Sequence, residues 1–399
     1  MSQSQAGLMG NGDTSPANPN RNAEPPAFVH AEQVMAEGNR QEDVGSAEAL
    51  EKAIRCYRAA FDVLHPQLAV ASLPLHETRR RLGLARMNEG NAWMKRLQFP
   101  SEENCIQKAT TAYEAAISWL EGPEPGETAA STRLDARDQN TLGAAWMNLG
   151  HALHTRGDLT GIERAIRAFD ASLGWLRALP LDESEWYRLN LAGAEINSSN
   201  VLLSHAAYRI AHASAPPFAV AQDAAVRADL IAARENAQRG RAALNGLERI
   251  RPDAADLALK GFRAQCDALG ELLPRTGANL DEMNALGDEA TDTADAGLAL
   301  YRAWPQYAAV FEPIALRLYR FGSTVYRIHQ PHFLAEFLEE NGNLGAEPWR
   351  EIAREAATQA QAELKQVRQF TFGDRDSERR LETARSLQEI IQKYRLNES

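Results

Sequence analysis

Cysteine is scarce: Cys56, Cys105 and Cys266 are the only three in 399 residues. They are odd in number and far apart, and each sits in an apolar helical pattern. That excludes a disulfide framework and reads as small buried hydrophobes in a reducing compartment. Long apolar runs are missing too. No stretch approaches the ~18 uninterrupted apolar residues of a spanning helix, and the N-terminus has no basic segment followed by an apolar core. The expectation is a soluble, cytoplasmic protein with no membrane partner. Basic charge is in deficit, with 43 Lys and Arg against 54 Asp and Glu and a formal net charge of -11. Without a basic stripe to displace counterions from phosphates, nucleic acid is not an expected partner. The densest basic run, Arg79, Arg80 and Arg81 beside Glu77, reads as a solvated helix face.

Chemistry-bearing motifs are also lacking. Nothing matches a phosphate loop, a nucleophile elbow or a dinucleotide fingerprint, and carboxylates such as Asp292, Asp295, Glu339 and Glu340 are scattered over solvated faces. The chain is therefore read as a non-enzyme with no cofactor. His151 and His154 sit one helical turn apart, a spacing that would permit two metal bonds, but no third ligand or general base accompanies them. They leave a metal-dependent enzyme as the alternative of a different class. His329 and His332 are weaker still.

What is present is a lattice. Ala53, Tyr57, Ala60 and Leu64 recur as Ala109, Tyr113, Ala116 and Leu120, and again as Ala165, Phe169, Ser172 and Leu176, each set 56 residues after the last. Such self-similarity marks a repeat protein, in which each unit buries its apolar face against its neighbours and length adds units rather than domains. Helical periodicity dominates from Phe28 onward, and no run alternates long enough for a sheet. Prolines such as Pro66, Pro180, Pro252 and Pro274 stand where helices start or stop. Gly157-Asp158 ends one helix and caps the next, and Ser101 is placed to cap another. The units read as helix pairs. The first helix carries a small residue at Gly38, Gly90, Gly150, Ser199, Cys266 and Gly322, where close approach of the paired helix compensates for glycine's poor helix propensity. The second carries the lattice, with Tyr57, Tyr113 and Phe169 expected to fill the space between units. Trp119, Trp175 and Trp304 are read as core between units.

Trp146-x-x-Leu149-Gly150-x-x-Leu153, followed by Ala165, Phe169, Ser172 and Pro180, resembles the tetratricopeptide repeat. Weaker copies surround Gly38 and Gly90, and Leu318-x-x-Phe321-Gly322-x-x-Val325 looks like a further first helix. The resemblance implies an all-α fold, a right-handed α-solenoid of about six antiparallel helix pairs plus a C-terminal capping helix. The chain departs from the family in period, which is ~34 residues there and 56 here. The connections Gly122 to Asn140 and Ala213 to Asp223 are read as long. The divisions are a disordered tail over 1–27, the repeat domain over 28–372 and a capping helix over 373–399. The tail has too little apolar content to offset its ordering entropy. Its composition equally suits an unstructured export signal, so a secreted effector is the alternative to a cytoplasmic location.

The first helices share a second, polar period. Asn88 and Asn91 flank Gly90, Asn148 and His151 flank Gly150, Asn197 and Asn200 flank Ser199, and Asn39 follows Gly38. Positions three apart share a helix face. The resemblance implies that these helices line a concave groove whose asparagines hold an extended peptide, a role suited to a carboxamide that both donates and accepts. Met35 replaces the family's lysine for a peptide carboxyl terminus, and Arg320, equivalent to Asn88, offers a positive point for an acidic ligand. The expected function is a scaffold or adaptor that captures a protein or peptide, with a self-assembling homo-oligomer as the other reading.

Overall fold

The structure is a computed structural model describing residues 25–69, 75–99, 104–121, 134–212, 224–276 and 279–304, together with residue 351. Among the described residues there are ten α-helices and no strand. They are α1 (Pro26–Val44), α2 (Ala47–Leu64), α3 (Leu75–Arg96), α4 (Cys105–Glu121), α5 (Ala136–Thr155), α6 (Leu159–Leu176), α7 (Glu185–Ala211), α8 (Ala224–Ala243), α9 (Pro252–Leu272) and α10 (Leu280–Ala303). No helix among these residues is long and apolar enough to cross a membrane. The chain divides into two compact units, residues 1–197 and 198–399, with the division falling inside α7.

In the first unit, the helix ends follow from local chemistry. Gly45 and Gly157 adopt left-handed φ values of 69° and 73°, which cost glycine nothing. Ser46 and Asp158 then cap α2 and α6, their side chains accepting the amides of Ala49 and Gly161. Pro26 opens α1 in the first turn, where its missing N–H is not needed. Asp135 caps α5 through the Asp138 amide, so helix replaces the last part of the connection expected to reach Asn140.

The helices pack as consecutive pairs, α1 on α2, α3 on α4 and α5 on α6, and α2 meets α3 as α4 meets α5. The lattice makes the pairs. Tyr57, Tyr113 and Phe169 are 0 % exposed. A Cβ on Gly38 would stand 2.6 Å from Tyr57, one on Gly90 2.5 Å from Tyr113, and one on Gly150 2.9 Å from Phe169. Only glycine admits the ring, and the packing gained offsets the ~1 kcal/mol that glycine costs inside a helix. These rings fill the interior of their own pairs, whereas the sequence reading placed them between units. Seven residues earlier, Gly83 and Gly143 receive Leu120 and Leu176 with equally little room, and Ala31 shares a core cluster with Leu64. A step back along the first helix is thus a step forward along the second. Trp119 stacks edge-on to Phe61 and His65 and joins the core cluster of α1 and α2, which ties α4 to the first pair.

In the second unit, α9 packs against both α8 and α10. The lattice continues here in altered form. Ala233, Ala237 and Gly240 on α8 and Leu244 just after it keep its spacing with all four buried, and Ala290, Ala294, Gly297 and Tyr301 repeat it on α10. The aromatic position has become alanine in both. The facing small position has grown from glycine to Ser199 and Cys266, both essentially unexposed. Cys266 and Ala294 share a cluster with Leu259 and Tyr301. The small position gains a side chain where the aromatic position loses its ring. Arg227 pairs with Glu282 and Arg234 with Glu289, a constant 55-residue offset that locks α8 to α10.

The expected sixth pair around Gly322, Arg320, the helix over 373–399 and most of the 1–27 tail lie outside the described residues.

Candidate functional site

The asparagine set divides when its bonds are traced. Asn91 is 3 % exposed, and its Oδ1 accepts from the Tyr113 hydroxyl at 2.9 Å and from Asn148 Nδ2 at 3.0 Å. Both lone pairs of that carbonyl are engaged, and the Asn91–Asn148 bond ties α3 to α5. Asn39 Oδ1 lies 2.8 Å from the Tyr57 hydroxyl, which also contacts Glu42 at 2.7 Å. Burial first, then Glu42, pushes the Tyr57 phenol far above its ordinary value, so it stays a donor. Where the ring is Phe169 and has no hydroxyl, the position after the glycine is His151 instead of asparagine. The polar period therefore follows the aromatic one at these positions.

Sequence reading missed two further cross-links of this kind. Asn190 Nδ2 donates to Asn140 Oδ1 at 2.9 Å, tying α7 to α5 in the first unit, and Asn236 Nδ2 donates to Ser198 Oγ at 2.9 Å in the second. Neither flanks a lattice glycine, so the repeat gave no signal for them. Asn88, Asn197 and Asn200 are half-buried, as is His151, and Asn39 is exposed. Burial pushes the His154 imidazole below its ordinary value. Among the described residues no group of three or more His, Cys, Asp or Glu is arranged to hold a metal ion.

Several charges are buried, and most are paired across helices. Glu89, 4 % exposed, takes Arg58 of α2 and Arg86 of its own helix, each at 2.7 Å. Glu195, 1 % exposed, takes Arg177 at 2.7 Å. Asp138 meets His76 at 2.8 Å, and burial followed by the neighbouring Asp135 raises its carboxyl above the ordinary range. Breaking one partner of such a pair is costly, which marks these groups as positioning the stack.

A concave feature lies elsewhere. Between α4 and α6, with α5 as floor, is a groove of about 560 Å³. Trp146, Leu149 and Leu153 form the floor, Glu114 and Glu121 stand on the α4 wall, and Arg164 and Arg167 on the α6 wall. Arg164 reaches Glu114 at 2.8 Å, and Trp146 Nε1 donates to Glu121 Oε1 at 2.8 Å. At 100° per residue, Trp146, Leu149 and Leu153 project opposite to Asn148 and His151. The groove and the asparagine face are therefore separate surfaces of one helix. No family model matches the chain, and no curated protein matches it.

Proposed function

We propose that the chain is a protein-binding scaffold, a tetratricopeptide-like right-handed solenoid of antiparallel helix pairs that holds a peptide or protein segment. The observation that carries this reading is the lattice recurring through five described second helices, with the contacts of successive glycines running in opposite directions along paired helices. A stack of that kind presents extended surfaces rather than an enclosed site. Gly150 and Phe169 meet across a helix pair, which supports close pairwise packing of the units. Cys105 and Cys266 are buried as small apolar groups in the helical core, which supports a reducing, cytoplasmic location.

Within the asparagine face, Asn39, Asn91 and Asn148 support the stack through their own bonds, while Asn88, Asn197 and Asn200 with His151 are the groups assigned to the ligand. Arg320, outside the described residues, is assigned to the same role for an acidic ligand from its equivalence to Asn88 in the sequence alone. The test is affinity capture with the full chain as bait, compared quantitatively with a variant carrying Asn88→Ala, Asn197→Ala and Asn200→Ala. The expected outcome is loss of specific partners at unchanged helicity and melting temperature. Equal capture by the variant contradicts the assignment.

A further inference from the structure

The repeat places the α4–α6 groove one pair earlier as well, between α2 and α4 over α3. Counted from Gly90 and Gly150, Arg86, Glu89 and Trp93 stand there in place of Trp146, Leu149 and Leu153. The chain's own cations cover that earlier surface. The Arg86 guanidinium lies 3.8 Å from the Phe61 ring centroid, and Lys108 Nζ lies 4.2 Å from that of Trp93. Arg58 Nε bonds Glu89 at 2.7 Å. In the later groove part of this arrangement is inverted, while Lys108 keeps a cationic counterpart in Arg164. Trp146 replaces the arginine, Leu149 replaces the carboxylate, and at the 56-residue offset Arg58 becomes Glu114 and His65 becomes Glu121. An internal cation lying on an aromatic ring has given way to an aromatic floor beside an acidic wall.

We propose that the groove between α4 and α6 binds a basic peptide segment, which lays an arginine or lysine side chain over Trp146 with its cationic head at Glu121. The occupant supplies from outside the cation that Arg86 supplies from inside one pair earlier. Its aliphatic stem lies along the part-exposed Trp146, above the buried Leu149 and Leu153, as long cationic side chains do on apolar surface. The cation meets the ring face and the carboxylate together. Arg164 is neutralised by Glu114. Arg167, exposed on the opposite wall, faces the peptide's carbonyl oxygens and so fixes its direction across the groove. The net charge of -11 favours a basic partner at long range. This goes beyond the asparagine-face reading and does not depend on it.

The test is calorimetric titration of the full chain with a blocked peptide of repeated Gly-Ser-Arg triplets, and with the Gly-Ser-Glu counterpart. Binding of the arginine peptide alone is expected, weakening as salt rises. Trp146→Arg, which restores the internal plug, should weaken it about tenfold or more, and Glu121→Gln about threefold to tenfold. Asp182→Asn, an equal charge change in the exposed turn before α7, should leave it unchanged. Circular dichroism checks the fold, and if Trp146→Arg unfolds, Glu121→Gln against Asp182→Asn decides. Four results overturn the proposal: no binding to the wild type, equal binding of the glutamate peptide, equal loss in Glu121→Gln and Asp182→Asn, or full binding to a folded Trp146→Arg. The triple asparagine variant should bind the arginine peptide normally, so failure of one surface is distinguishable from failure of the other.

Discussion

Inside the described helices glycines range from sockets to vacancies, and substitution separates the two. Gly90→Ala drives a methyl to 2.5 Å from Tyr113, whose ring is 0 % exposed and cannot retreat. The expected cost is about 1–3 kcal/mol in chemical denaturation. Gly174 on α6 has nothing within 4 Å of its added Cβ, so Gly174→Ala should stabilise by about 0.5–1 kcal/mol. Tyr113→Phe should cost about 1 kcal/mol, because it removes one of the two donors to buried Asn91. Two aspartates should respond to pH in opposite senses. The Gly161 amide and Arg156 hold Asp158 below 3.8, so its stabilisation is present above the unfolded pKa and is lost as pH falls through the lowered value. Burial and Asp135 hold Asp138 above 3.8, so its contribution is greatest in acid and shrinks as pH rises through the raised value. Denaturation midpoints measured from acid to neutral pH check both. The deficit of Asp158→Asn should narrow toward acid, while the wild type should gain on Asp138→Asn.

Among the elements, legibility tracked how much of a contact one residue type can carry. Gly38, Gly90 and Gly150 pointed to close helix pairs because only glycine fits beneath a ring, and the structure has that ring in each pair. The fourth and fifth lattices were hidden because Ala237 and Ala294 replace the aromatic while Ser199 and Cys266 replace the glycine. Neither residue identity nor size is kept across the contact. The asparagine period was legible, but the bonds from Tyr57 and Tyr113 that explain part of it depend on which face each side chain takes. The α4–α6 groove could not be read at all. Trp146, Leu149 and Leu153 look like packing residues of one helix until α4 and α6 are seen to leave Trp146 part-exposed above the two buried leucines. Between α8 and α10, a double-mutant cycle on Arg234 and Glu289 should give a coupling of about 1 kcal/mol. Removing Glu289 alone should cost more than that, since Gln238 and Gln265 each donate to it at 2.7 Å.

For the whole molecule, the account treats stability as a sum of pair and neighbour terms, with the two compact units as its coarsest division. The proposed function rests on that architecture: if both proposed surfaces bind, those on opposite sides of α5 hold different segments without a shared pocket. A repeat array loses stability locally, whereas a single cooperative core loses it everywhere. Native-state hydrogen exchange of Gly90→Ala against the wild type tests this most directly. Protection should fall most in α3 and α4, less in α1, α2, α5 and α6, and remain at its wild-type level in α9 and α10. A uniform loss across all ten described helices would contradict the account.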